Sequence, residues 1–150
     1  MLAAVGDTPY NIVRLVHLFT VIVGTGLAFA APVIAVRARR GGGGKPMQDL
    51  VDETASALIF PMLLVAGTAG GALVGMSDDF WDFSQTWLAI GGAVWMLILV
   101  LVLAVYPPRW FTLFNLPEDR KRMLGGFLHL SLAVMLVLMV WKFGALPGAY

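Results

Sequence analysis

The chain of 150 residues has no cysteine and few charged residues. Without cysteine it can form neither disulfides nor thiolate-ligated metal and iron–sulfur sites. Only 13% of its residues are charged and 59% are hydrophobic, which leaves too little polar surface to coat a water-soluble globule. The composition therefore predicts a protein whose solvent is the lipid bilayer.

Four apolar runs, at about 11–36, 54–76, 86–106 and 123–143, are each long enough to cross a membrane. A hydrocarbon core of roughly 30 Å requires about 20 residues of α-helix. We therefore predict a single integral membrane domain over residues 1–150, an all-α bundle of four transmembrane helices. The basic residues fall in the connectors and not along one helix face, which argues against a nucleic-acid partner.

The charges of the connectors predict the topology. Basic residues cluster in the first and third connectors, within RARRGGGGK and EDRKR, whereas the second, SDDFWDFSQ, has three aspartates and no cation. The positive-inside rule places loops rich in lysine and arginine in the cytoplasm. Both termini are therefore expected on the extracytoplasmic side.

Glycine spacing predicts how the helices meet. Gly67, Gly71 and Gly75 recur every four residues in the second span, and Gly24 provides a similar flat position in the first. Small residues let helix backbones approach closely, and dispersion contacts then drive association in lipid. These faces are expected either to pack within the bundle or to meet another subunit or a second copy of the chain.

Ionisable side chains inside a membrane are costly and are functional candidates. Arg14 lies near the outer boundary, where its guanidinium can reach the headgroups or the aspartates of the second connector. His17 lies on the first span and His129 on the fourth, and each is near the side from which its own helix enters. At about 1.5 Å per residue the two histidines differ by about 10 Å in depth, so we do not expect them to share one haem iron.

Each histidine alone remains a candidate ligand. His17 or His129 could hold a haem b or a chlorin, and His17 with Met76 and Met139 could form a thioether-rich copper(I) site. The alternative is that both imidazoles hydrogen-bond to carbonyls or hydroxyls of other helices while the methionines fill gaps. Trp95, inside the third span, likewise needs a partner for its indole N–H on another helix.

The first span resembles a known family. In RLVHLFTVIVGTGLAFAAPVIAVRARR the distinctive positions are Arg14, His17 and Gly24, and the similarity continues through LLVAGTAGGAL and WLAIGGAVWMLILVLVLAVYPPRW. The chain resembles the uncharacterised bacterial four-helix integral membrane proteins related to the copper-resistance D membrane domain. It is similar, more weakly, to the membrane haem-containing protoporphyrinogen oxidase. This resemblance implies that His17 is the haem or metal ligand, with Arg14 beside it.

The sequence contains no recognisable catalytic set. There is no carboxylate within the spans, no HExxH motif and no serine nucleophile beside a plausible base. We therefore predict a small, non-catalytic accessory or structural subunit of a complex in the bacterial cytoplasmic membrane. The second hypothesis is a haem- or metal-binding redox or export protein that uses His17.

Overall fold

The computed structural model describes residues 7–41, 44–77, 81–108, 111 and 116–142. Within these residues the chain forms four α-helices: α1 (Thr8–Arg40), α2 (Gly44–Gly75), α3 (Thr86–Val105) and α4 (Glu118–Trp141). All four are long and apolar enough to cross a membrane. The predicted all-α class with four spanning helices is confirmed, and the protein is a small multi-pass membrane protein.

The helices extend beyond the predicted spans, mainly where the chain becomes polar. α1 continues to Arg40, α2 begins at Gly44 and α4 begins at Glu118, whereas the predicted spans of these helices are 11–36, 54–76 and 123–143. Hydropathy marks the part of a helix that lies in hydrocarbon, but helical hydrogen bonds are local and continue into the polar region. The first turn of α4 contains Glu118 and Asp119, whose negative charges stabilise the helix because they lie at the positive end of its dipole.

Neighbouring helices are antiparallel and pack in chain order around the bundle. α1 packs mainly on α2, and α3 mainly on α4, while the contact between α1 and α4 is the thinnest of the four. We call the end where α1 and α3 finish and α2 and α4 begin the basic end, and the opposite end the acidic end. No interface between α1 and α3 or between α2 and α4 occurs among the described residues.

The aliphatic core lies in the half of the bundle nearer the basic end. Its members are Ala28, Ala31, Ala55, Ile59, Leu63, Ile98, Leu99, Leu101, Val102, Leu128 and Leu132. In the acidic half (8–23, 64–77, 81–95 and 134–142), Leu138 is the one large aliphatic side chain that is buried among the described residues. The other buried side chains there are small, polar or aromatic: Tyr10, Thr20, Ala66, Ala69, Ser77 and Gln85.

Large apolar side chains cover the outside of every helix. Ile22 on α1 is 70% exposed and Val140 on α4 is 73% exposed. Such surfaces are unfavourable in water but match the acyl chains of a bilayer. Their distribution supports a lipid environment for the bundle.

Candidate functional site

His17 joins α1 to α2 through a hydrogen bond to the main chain. Its Nδ1 lies 2.7 Å from the carbonyl oxygen of Ala66. Because a carbonyl can only accept, Nδ1 carries the proton and donates, and in the neutral imidazole Nε2 then has the free lone pair. The ring lies against Gly70, where a Cβ would approach Cε1 to 3.1 Å.

Trp95 joins α3 to α2 in the same manner. Its Nε1 donates to the carbonyl oxygen of Leu63 at 3.2 Å. The indole occupies the space over Gly67, where any Cβ would overlap it. The predicted need for a partner on another helix is thus met by a main-chain carbonyl.

In both contacts, a glycine of α2 lies four residues after the carbonyl that accepts the hydrogen bond. The accepting carbonyls belong to Leu63 and Ala66, and the residues four positions later are Gly67 and Gly70. Cα–Cβ bonds tilt towards the helix N-terminus, so the side chain at position i+4 normally shields the carbonyl at position i. Glycine has no side chain to block the carbonyl, so a ring nitrogen can donate to it although the same carbonyl already accepts a hydrogen bond within the helix.

His129 makes the corresponding contact between α4 and α1. Its Nε2 donates to the carbonyl oxygen of Ala28 at 2.9 Å, and its ring lies 4.9 Å from that of Phe29. Pro32 stands four residues after Ala28 inside α1. Proline has no N–H, so the Ala28 carbonyl lacks its usual partner within the helix and the histidine supplies one.

The structure does not bring the two histidines together. His129 binds α1 at Ala28, eleven residues beyond His17, which corresponds to about 16 Å along the helix. They also donate through different nitrogens, His17 through Nδ1 and His129 through Nε2. Any group held by one histidine is therefore not shared with the other.

The two methionines proposed as partners of His17 are not placed beside it: one is displaced along the bundle axis and the other belongs to a helix with few contacts to α1. Met76 follows the end of α2, six residues past Gly70 and so about 9 Å further along the axis. Met139 is half-buried on α4, the helix that contacts α1 least. Among the described residues no group of three or more histidine, aspartate or glutamate side chains could hold a metal ion.

Arg14 is exposed on the first turns of α1. Two of the aspartates considered as its partners, Asp78 and Asp79, lie outside the described residues. The third, Asp82, accepts a hydrogen bond of 2.6 Å from the Ser84 backbone N–H. Hydrogen bonding by the Ser84 side chain, and then by its backbone N–H, lowers the pKa of Asp82 below its usual value.

The four predicted packing glycines have different surroundings. Gly24 is buried against Leu63 and Met62 of α2, and Gly67 lies under Trp95. Gly71 and Gly75 face open space, because no side chain among the described residues is close enough to contact an added Cβ. A spacing of four residues rotates about 40° per step on a helix of 3.6 residues per turn, so the stripe turns away from Trp95.

A polar cleft of about 500 Å³ lies at the basic end. α2 contributes Asp52 and Glu53 to its lining, and α4 contributes Glu118, Lys121 and Arg122. Lys121 forms an ion pair of 3.3 Å with Glu118. Small or rigid residues form the deeper walls, where the cleft reaches His129: Ala31, Pro32, Gly125 and Gly126. We call this site the basic-end cleft.

Tyr106 lies in the wall of the cleft just after α3 ends. Burial raises the pKa of its phenol above the ordinary value of 10.0, and the negative charge of Asp52 raises it further. The hydroxyl thus remains protonated, and able to donate a hydrogen bond, at all physiological pH values.

Sequence reasoning missed the cleft and the role of Pro32. From the sequence alone, the charges at the basic end indicate only the topology. Pro32 could have been recognised, because a proline inside a span identifies the carbonyl four residues earlier as needing another donor. The position of that donor, 101 residues later, had no signal in the sequence.

The comparisons with known proteins add no relative. No family model, curated protein or solved structure matches this chain. The candidate sites therefore stand on geometry alone.

Proposed function

We propose that this membrane protein is a non-catalytic accessory subunit of a larger assembly in the bacterial cytoplasmic membrane. The observation that carries the proposal is the open glycine face of α2 at Gly71 and Gly75. In lipid a flat helix face gains dispersion contacts only when another helix covers it closely.

The position of this face favours an external partner. Gly67 and Gly70 are filled by rings from α3 and α1, but the next glycines along α2 are exposed. A helix from another subunit, or from a second copy of this chain, could approach the backbone there without displacing any contact that the described residues make. Such a role requires only complementary helix surfaces and no catalytic set.

A leucine substitution tests this face. Extraction in a mild detergent followed by native mass measurement should return the chain bound to other subunits or to a second copy. Gly71→Leu should release it, because the branched side chain keeps the neighbouring backbone at a distance. Ala72→Leu is the matched control, since Ala72 is also exposed on α2 but points about 100° away. A bare monomer from the unmodified protein would contradict the proposal.

The orientation of the proposed subunit has a separate test. Single cysteines introduced at Gly42 and Ser84 should react differently with a membrane-impermeant reagent added from outside. Labelling at Ser84 alone supports extracytoplasmic termini. Labelling at Gly42 alone would invert the topology.

His17 supports a second candidate function, the binding of a haem, a chlorin or copper(I) by a single histidine. The supporting observation is the hydrogen bond from Nδ1 to the Ala66 carbonyl. A backbone carbonyl that holds the other ring nitrogen is the usual arrangement around a ligating imidazole, because it fixes the tautomer and the ring orientation. The resemblance of the first span to the copper-resistance D family implies the same ligand and stays a prediction.

An absorption spectrum and metal analysis of the purified protein test this candidate. A Soret band, or copper at one equivalent, should be present and should disappear in His17→Ala. His129→Ala is the control, because its imidazole lies about 16 Å away along α1. A colourless, metal-free protein would remove the candidate.

A further inference from the structure

The basic-end cleft continues from the charged helix ends into the membrane-spanning part of the bundle. Arg122 lies near its mouth and His129 near its deep end, both on α4. Seven residues separate them, so the cleft follows α4 for about 10 Å. Its deep part adjoins the contact between α1 and α4, which is the thinnest in the bundle.

The mouth of the cleft presents charges of both signs on different helices. Asp52 and Glu53 belong to α2, whereas Lys121 and Arg122 belong to α4, where Glu118 pairs with Lys121 and Arg122 is the second cation of the lining. A purely anionic ligand would meet the carboxylates, and a simple cation would meet the lysine and the arginine. A zwitterion satisfies both sides, since opposite charges at this range attract and like charges repel.

The deep part suits a hydrocarbon chain. Ala31 and Pro32 form one wall and Gly125 and Gly126 the other, so the space between α1 and α4 continues until the His129 imidazole reaches across to α1 at its end. Since α1 and α4 themselves face lipid, an acyl chain can enter this space from the bilayer. The charged mouth and the apolar depth match the two parts of a phospholipid.

We propose that the basic-end cleft binds a zwitterionic phospholipid that carries a primary ammonium group. Its phosphate lies towards Lys121 and Arg122, and its ammonium lies towards the carboxylates of α2. One acyl chain follows the space between α1 and α4. This site is independent of the accessory role, because it lies at the end of the bundle opposite Gly75.

Lipid competition in a bilayer tests the site. The protein is reconstituted with equal amounts of phosphatidylethanolamine, phosphatidylcholine and phosphatidylglycerol of matched acyl chains, and the retained lipids are identified by native mass measurement. Phosphatidylethanolamine should be retained over phosphatidylglycerol, and over phosphatidylcholine, whose methylated nitrogen has no N–H to donate. Asp52→Asn, which removes a partner of the ammonium, should reduce this preference about threefold to fivefold, as expected for the loss of a partly exposed ion pair. Arg122→Gln removes a partner of the phosphate that all three lipids share, so it should reduce the total amount of retained lipid by a similar factor without reducing the preference.

Neighbouring charges outside the cleft provide the controls. Arg120→Gln and Asp49→Asn remove exposed charges from the same helices without touching the cleft lining, and should leave both the preference and the total amount of retained lipid unchanged. Equal or greater retention of phosphatidylglycerol would overturn the proposal, as would equal effects of cleft and control variants. Effective competition by glycerophosphoethanolamine, which has the headgroup but no acyl chains, would assign the site to a soluble compound and overturn the lipid assignment.

Discussion

The two halves of the bundle hold their helices together by different means. The basic half has a cluster of interlocking aliphatic side chains around Ile59, Val102 and Leu128. The acidic half uses rings that lie on glycines and donate to main-chain carbonyls, as His17 does at Ala66. In lipid, burying an apolar side chain gains little over leaving it among acyl chains, so close packing and interhelical hydrogen bonds must supply the association energy. The basic half depends mainly on close packing of side chains, and the acidic half adds hydrogen bonds between helices.

The largest effect is expected at Gly67 in the acidic half. In Gly67→Val the new side chain would occupy the space of the Trp95 indole, so the ring must leave and its hydrogen bond to Leu63 is lost. We expect a loss of about 3 kcal/mol in the free energy of unfolding, measured by titration from mild detergent into dodecyl sulfate. Gly26→Val is the control, because an added Cβ there would contact none of the described residues. Equal stability of the two variants would contradict the packing described for Trp95.

A cavity in the basic half should have a somewhat smaller effect. Ile59 is fully buried in the aliphatic cluster, and Ile59→Ala leaves a cavity there without removing a side-chain hydrogen bond. We expect a loss of about 2 kcal/mol in the same unfolding measurement. Leu15→Ala, at a position 68% exposed, should change stability little. If Leu15→Ala cost as much as Ile59→Ala, the cluster would not be the core of this half.

The basic half also contains one hydrogen bond between a side-chain ring and a main-chain carbonyl of another helix. His129 donates it to the Ala28 carbonyl, which Pro32 leaves without a partner in its own helix. His129→Phe should cost about 1 kcal/mol, since it leaves the Ala28 carbonyl without a donor. In a Pro32→Ala background the restored N–H can serve that carbonyl, so the same substitution should cost less. A double-mutant cycle on the unfolding free energy measures the coupling. Additive effects would mean that the histidine and the proline act independently.

The smallest effect is expected from the titration of Tyr106. Its folded-state pKa is raised by burial and by Asp52, so the folded protein retains the phenolic proton after the unfolded chain has begun to lose it near pH 10.0. Stability should therefore be complete below that pH and decline as the pH rises towards the folded pKa. Unfolding measured between about pH 9 and 11 should show this decline, and Tyr106→Phe should reduce it. An unchanged slope in the variant would assign the decline to other groups.

The sequence predicts the four spans because hydropathy is a property of each segment taken alone. Hydropathy does not predict helix ends that lie in the connectors, such as Gly44 and Glu118, because polar turns can continue a helix without any hydrophobic signal. The glycine stripe is visible, but its spacing does not show that Gly67 accommodates a ring while Gly71 faces outward. The basic-end cleft is a property of four helix ends brought together, so no single segment contains it.

The contact between Ala28 and His129 also has a consequence for biosynthesis. α1 enters the membrane with a backbone carbonyl that its own helix cannot satisfy, and the donor lies 101 residues later in the chain. At roughly 5 to 20 residues per second, translation of that stretch takes about 5 to 20 seconds. During this interval the first helix depends on water, the insertion machinery or a temporary neighbour, and arrival of the fourth helix completes its backbone.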